Sequence, residues 1–182
     1  KLSTHWAAAS IDYVRQKGLM HNNPYGEFTP NFPLTRGMFV TCLGRLAGVE
    51  GDAASTGYRD LSAGHYAAPY AAWAKEADIM RGLPDGRFAP DAPITRQELA
   101  TALARYAALC GAERGDTSAP VYNDQAAIAD WAKDGVALCG QLGLLVGANG
   151  TFSPTDTATR AMGAVILQRL DEADLRPQPV EN

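Results

Sequence analysis

Apolar positions along the chain fall into pairs of stretches with helical spacing, and a short turn-forming segment splits each pair. Trp6, Ile11 and Val14, with Leu19 beyond, begin one stripe; Met38, Phe39, Cys42, Leu43 and Leu46 make a second, broader one. Trp131, Val136, Leu138 and Leu142 repeat the first stripe near the other end. Spacings of three and four predict helices, each with one buried face. The breaks read Asn22-Asn23-Pro24-Tyr25-Gly26, Gly82-Leu83-Pro84-Asp85-Gly86 and Gly147-Ala148-Asn149-Gly150. Asn-Gly and Asp-Gly in them supply the positive φ of a tight turn.

One phrase follows every break: Gly26-Glu27-Phe28-Thr29-Pro30 to Leu34-Thr35-Arg36, Gly86-Arg87-Phe88-Ala89-Pro90 to Ile94-Thr95-Arg96, and Gly150-Thr151-Phe152-Ser153-Pro154 to Ala158-Thr159-Arg160. A Leu-x-Arg comes after each, ending at Arg45, Arg105 and Arg169. This register divides the chain into three units, 1–50, 58–110 and 121–172, with 173–182 as a tail or linker and one structural domain overall. Small polar connectors, Gly51 to Gly57 and Gly111 to Pro120, join the units. Tyr58-Arg59-Asp60 and Tyr122-Asn123-Asp124 open the second and third units; the first lacks this opening, as expected of a chain cut just inside it.

Each unit reads as helix, loop, helix. The second helix is expected to start at the Thr of Thr-Arg, whose hydroxyl accepts from first-turn amides. Thr95 with Glu98 forms a full capping box, which Met38 and Met162 deny to the other two copies. Two helices cannot bury both their stripes alone. The expected fold is therefore mainly α, with three helix-loop-helix repeats packed about a pseudo-threefold axis.

Composition narrows the function. The 182 residues are 46% hydrophobic and 20% charged, with a formal charge of −4, which excludes broad nucleic-acid binding, and no apolar run is long enough for membrane insertion. Without an initiator Met or signal peptide, the chain is expected to be covalently part of something larger. Cys42, Cys110 and Cys139 match no zinc spacing and are expected as small buried thiols, with a Cys110 to Cys139 bridge open in an oxidising compartment.

The repeated Arg carries the most chemistry. A guanidinium beside a helix N-terminus joins a planar fork of donors to unsatisfied amides and the positive end of the helix dipole, a combination that binds a carboxylate or phosphate. Arg36, Arg96 and Arg160, with Thr35, Thr95 and Thr159, are candidate anion-site residues in clefts between units. The alternative is that each Arg pairs with an acid of its own chain, such as Asp60, Asp91, Asp124 or Asp156, and staples units together. Arg45, Arg105 and Arg169 lie on another helix face, where capping or an interunit salt bridge is expected. Phe28, Phe88 and Phe152 read as core plugs. Trp6, Tyr66 and Trp131 either fill the core or lie against a sugar ring in a cleft. No catalytic constellation, metal-ligand pairing or cofactor motif is present, so no enzyme activity, metal or cofactor is expected.

Asp85-Gly86-Arg87-Phe88-Ala89-Pro90 with Ile94-Thr95-Arg96-Gln97-Glu98, an aromatic-Ala helix ahead and Leu103-Ala104-Arg105 behind, resembles the S-layer homology domain family, as three tandem motifs over nearly the whole chain. The resemblance implies a three-pronged pseudo-trimer around a central helical bundle. It implies an extracellular cell-wall module that anchors a bacterial surface protein non-covalently by binding secondary wall polysaccharide, commonly through a pyruvylated terminal sugar. The family's Ile/Leu-Thr-Arg-Ala-Glu stretch maps its ligand-binding Arg onto Arg36, Arg96 and Arg160, in grooves whose wall aromatic would be Trp6, Tyr66 or Trp131; Gly82 and Asp85 of the second loop are further candidates. Only the second copy keeps the Glu, which ranks the site of Arg96 first. A protein-assembly module using the same clefts is the alternative function, and a glycan hydrolase would need two carboxylates at hydrolytic separation.

Overall fold

The structure, a computed structural model, describes residues 2–52 and 55–178; Ala53 and Ala54 of the first connector and residues 179–182 of the expected tail lie outside it. Six α-helices carry the fold: α1 (Ala8–Gln16), α2 (Arg36–Leu46), α3 (Ala68–Glu76), α4 (Arg96–Leu109), α5 (Lys133–Gln141) and α6 (Arg160–Glu172). The second helix of each unit starts where its Thr predicts. Thr35, Thr95 and Thr159 each accept the amide three residues on, and Glu98 reaches back to the Thr95 amide to complete the one capping box. The first helices of the first two units start differently: the Nδ1 of His5 and of His65 accepts the amide two residues later, which explains the His ahead of Trp6 and of Tyr66.

Helix partners are exchanged between units. The first helix of one unit packs on the second helix of the preceding one, α3 on α2, α5 on α4, and α1 on α6 to close the circle. Glycines set the distance. A Cβ on Gly44 of α2 would sit 2.3 Å from Tyr70 of α3, and one on Gly135 of α5 would sit 2.9 Å from the Thr101 backbone of α4.

At the axis the closure is made by backbone alone. The Leu34 amide donates to Ala158 O (2.8 Å), the Ala158 amide to Ile94 O (2.9 Å), and the Ile94 amide to Leu34 O (2.9 Å). These three residues hold the same position in their units and are buried. Around this ring the isolated antiparallel bridges Pro33 with Thr159, Thr35 with Pro93 and Thr95 with Thr157 take the place of a sheet. Phe28, Phe88 and Phe152 are 1%, 0% and 0% exposed, the core plugs expected, each stabilising the fold by about 1.5–3 kcal/mol.

All three thiols are free, with Cys42 and Cys139 buried; Cys139 Sγ donates to Ala100 O, so the open Cys110 to Cys139 bridge is not formed. Beyond α6 the chain folds back, and Leu175 O accepts from the hydroxyl of the buried Tyr106.

Candidate functional site

The repeated arginines begin α2, α4 and α6, and each crosses to the next unit round the ring. Arg36 Nε donates to Phe88 O (2.8 Å), Arg96 Nε to Phe152 O (2.7 Å) and Arg160 Nε to Phe28 O (2.8 Å). Each guanidinium also lies over the ring of the Phe it grips, 5.3, 4.9 and 4.6 Å from the centroid. Stapling is thus real, but it runs through carbonyls and rings rather than the aspartates named from sequence.

The helix N-termini themselves are already satisfied. The amides of Arg36 and Gly37 donate to Ala92 O and Pro90 O of the second unit, those of Arg96 and Gln97 to Asp156 O and Pro154 O, and those of Arg160 and Ala161 to Phe32 O and Pro30 O. The following amide in each case goes to the capping Thr. A ligand finds guanidinium N–H groups here, not first-turn amides.

Two of the grooves draw on all three units. Between the first and second lies a cleft of about 350 Å³, lined by Arg36 from the first unit, Met80, Gly82, Glu98 and Arg105 from the second, and Trp131 from the third. Between the third and first, a cleft of about 150 Å³ is lined by Arg160 from the third, His21, Met38, Cys42 and Arg45 from the first, and Tyr66 from the second. At the remaining boundary Arg96 Nη2 donates to Val146 O (3.0 Å) and Arg169 Nη1 to Leu144 O (3.2 Å), the two converging on one stretch.

The three arginines differ in what answers their charge. Arg36, 6% exposed, meets Glu98 Oε1 at 3.3 Å. Arg160 donates through Nη2 to His21 O (2.7 Å), and its Nη1 has Met38 Sδ at 3.8 Å where Arg36 has a carboxylate. No ion pair of Arg96 or Arg160 occurs among the described residues. Burial is the largest influence on all three and disfavours the charged form; Glu98 opposes it most at Arg36 and Asp156 at Arg96, whereas at Arg160 the opposing groups are only Cys42 and Tyr66.

Glu98 therefore serves the groove of Arg36, not that of Arg96, which precedes it on the same helix turn. Two residues on a helix are about 200° apart, so Arg96 and Glu98 face different neighbours. That signal was present in the sequence. The second arginine of each unit caps, as one of its two expected uses: Arg45, Arg105 and Arg169 donate to the carbonyls of Leu19, Ile79 and Leu144, tying down the end of the first helix; what the sequence did not show is that Arg45 and Arg105 also line the same grooves.

The repeated aromatics stand outside the core, with Trp6 68%, Tyr66 51% and Trp131 59% exposed. Tyr66, raised in pKa chiefly by burial of its hydroxyl, lines the Arg160 groove. Gly82 is in the Arg36 groove for a steric reason: at φ +77° a Cβ would sit 2.5 Å from the Tyr58 ring. Asp85 turns away, pairing with Arg87 (2.7 Å) and Arg59 (3.7 Å) on the outer loop.

The S-layer homology domain profile matches residues 2–37, 57–100 and 121–161. An amylopullulanase of Thermoanaerobacterium thermosulfurigenes is 30% identical over 94% of this chain and 9% of that protein. The S-layer protein sap of Bacillus anthracis is 28% identical over 92% of this chain and 20% of its own length. A cellulosome-anchoring protein of Acetivibrio thermocellus is 35% identical over 52% of this chain and 22% of that protein. The chain thus spans less than a quarter of each of these relatives. With three profile matches, one on each repeat of the closed ring, the chain belongs to the S-layer homology domain family.

Proposed function

We propose that this chain holds a surface protein to the bacterial cell wall by binding an anionic wall polysaccharide outside the cell, and that the group recognised is the pyruvate ketal of a terminal sugar. The observation that carries this reading is Arg160: a half-buried guanidinium in a cleft, fixed through Nε and Nη2, with a thioether where a carboxylate would neutralise it. A ketal carboxylate lying along the Nη1–Nη2 edge accepts two charge-assisted hydrogen bonds, worth about 1.5–3 kcal/mol each. The Tyr66 face then packs on the sugar, and Arg45 adds a second positive charge to the wall of the cleft.

Relatives named as an S-layer protein, a cellulosome-anchoring protein, an amylopullulanase and an endoglucanase each match this chain over less than a quarter of their own length, which supports anchoring as the part of the work common to them. Several such grooves on one polymer give avidity without any one being strong.

The test is calorimetric titration of a pyruvylated hexosamine, beside the same sugar without its ketal, into the wild-type chain and Arg160→Ala. Saturable heat that needs both the ketal and Arg160 is the expected result. Equal binding of the neutral sugar, or wall binding undiminished in an Arg36→Ala, Arg96→Ala, Arg160→Ala triple variant, would overturn the reading. Binding of an acidic peptide in place of any sugar would make the module one of protein assembly.

A further inference from the structure

The clefts at Arg36 and Arg160 differ in charge balance as well as in size. In the first, every guanidinium has a carboxylate within electrostatic reach. Arg36 meets Glu98 Oε1 at 3.3 Å. Arg81 forks onto Asp78, its Nη2 donating to Oδ2 at 2.7 Å, and Asp78 is held below the usual carboxylate range by Arg81 first, with Arg105 adding to that hold. In the second, the lining cations are Arg45 and Arg160, and neither has an ion pair among the described residues. An anion entering the Arg36 cleft would meet Glu98 on the same guanidinium, and two carboxylates sharing one cation repel.

What the Arg36 cleft offers suits an uncharged ring. Its volume is about 350 Å³ against about 150 Å³ at Arg160, within the range of small-molecule sites. Trp131, 59% exposed, lines it together with the apolar Met80, Leu83 and Pro84. Its central polar pair has capacity to spare. A carboxylate has about four lone-pair sites; Glu98 accepts from Arg36 and from the Thr95 amide (2.8 Å), which leaves the others open. Arg36 commits Nε to Phe88 O and Nη1 to Glu98, and its Nη2 has no hydrogen-bond partner among the described residues. Arg96 and Arg160 instead direct their Nη2 to Val146 O and His21 O. A spare donor beside a spare acceptor matches two adjacent hydroxyls, each of which can donate and accept.

We propose that the Arg36 cleft binds an uncharged sugar, a hexose or N-acetylhexosamine whose ring lies on Trp131 and whose adjacent hydroxyls donate to Glu98 and accept from Arg36. The two clefts then read two different residues of one polymer, a charged one at Arg160 and a neutral one at Arg36. This inference takes from the anchoring function only the source of the sugar. Without a charge on the ligand the neutral site is the weaker of the two, because hydrogen bonds between neutral and charged partners replace a full ion pair.

Methyl glucoside and methyl N-acetylglucosaminide, titrated at millimolar concentration into the ¹⁵N-labelled chain, provide the test. At least one is expected to shift the Trp131 indole N–H and the Gly82 amide in a saturable way, equally in Arg160→Ala and at low or raised salt, since the ligand carries no charge. Glu98→Gln keeps a capping side chain but removes the charge from the acceptor, and should weaken this binding about fivefold. Trp131→Ala, followed at Gly82, should weaken it about tenfold. Neither variant should alter the shift that a pyruvylated hexosamine causes at the Tyr66 amide in the Arg160 cleft. No shift at Trp131 and Gly82 with either neutral sugar, or an undiminished shift at Gly82 in Trp131→Ala, would overturn the proposal. A neutral sugar that shifts Gly82 beside a pyruvylated one that leaves Tyr66 in place would uphold it and overturn the ketal reading.

Discussion

The groove at Arg36 and the groove at Arg160 are built from the same positions of the same repeat, yet one is closed electrically and the other open. In the first, Glu98 meets the guanidinium at 3.3 Å. In the second, Met38 holds the position of Glu98 and offers only a sulfur at 3.8 Å. Both arginines keep their Nε bond to a Phe carbonyl and their ring contact, so the Glu is not what orients the Arg. A repeated residue is thus one hand in three different settings, and the neighbour across the groove decides what it holds.

Removing the arginines should break the comparison most visibly. Arg160→Ala is expected to cost at least about tenfold in affinity for a pyruvylated saccharide, measured by calorimetry, while Arg36→Ala leaves that binding within a factor of about two. Stability should show the opposite order. Arg36→Ala leaves Glu98 facing the cleft alone, and a loss of about 2–3 kcal/mol lowers the midpoint of thermal unfolding by roughly 5–10 °C. Equal binding losses in the two variants would mean the carboxylate across the groove does not matter.

Exchange of the facing residue is the sharper instrument. Glu98→Met should free Arg36 and raise the number of saccharide sites seen in the titration, at a cost of about 1 kcal/mol for the lost capping box. Met38→Glu should do the reverse, weakening the Arg160 groove while completing the cap at Thr35, with a rise in melting temperature of about 2–4 °C. Unchanged stoichiometry in both would sink the electrostatic account.

Acid should separate the grooves more gently. Asp60 is pushed up by burial but held below the usual carboxylate range by the amides of Phe88 and Ala89, and Asp124 is held low first by the amide of Phe152. A carboxyl whose folded pKa is depressed stabilises the fold above its unfolded pKa and loses that contribution as pH falls through the folded value. Melting temperature should therefore decline below about pH 4, and Asp124→Asn should flatten the decline. The turns concerned carry the Phe88 and Phe152 carbonyls that seat Arg36 and Arg96. Arg160 is seated on Phe28, whose turn has no such carboxylate among the described residues, so its groove should be the least affected.

Much of this architecture was legible in the chain because it is local. Thr35, Thr95 and Thr159 mark their helix starts, the capping box of Thr95 with Glu98 forms, and the Phe positions are buried, since a hydroxyl three residues from an amide or an apolar stripe acts within one element. What was not legible lies between units. The amides of Arg36 and Gly37 looked free from sequence because their acceptors, Ala92 O and Pro90 O, are more than fifty residues away and carry no side-chain signature. Trp6, Tyr66 and Trp131 could not be assigned to core or cleft, since their exposure depends on which unit crosses them. The facing of Glu98 could have been anticipated from helix angle alone; its partner Arg36 required the circular order of the units.

That circular order fixes the copy number. In an open stack of repeats the end units expose a face and need special caps, and units can be added or lost at little cost. The amide cycle of Leu34, Ile94 and Ala158 has no first or last member, since each residue is both donor to one neighbour and acceptor from the other. Deleting one unit would leave an amide and a carbonyl orphaned at the centre of the core, and inserting a fourth would open the triangle. The module should therefore melt as one cooperative body, and its evolution should proceed by changing what lines the grooves rather than how many there are.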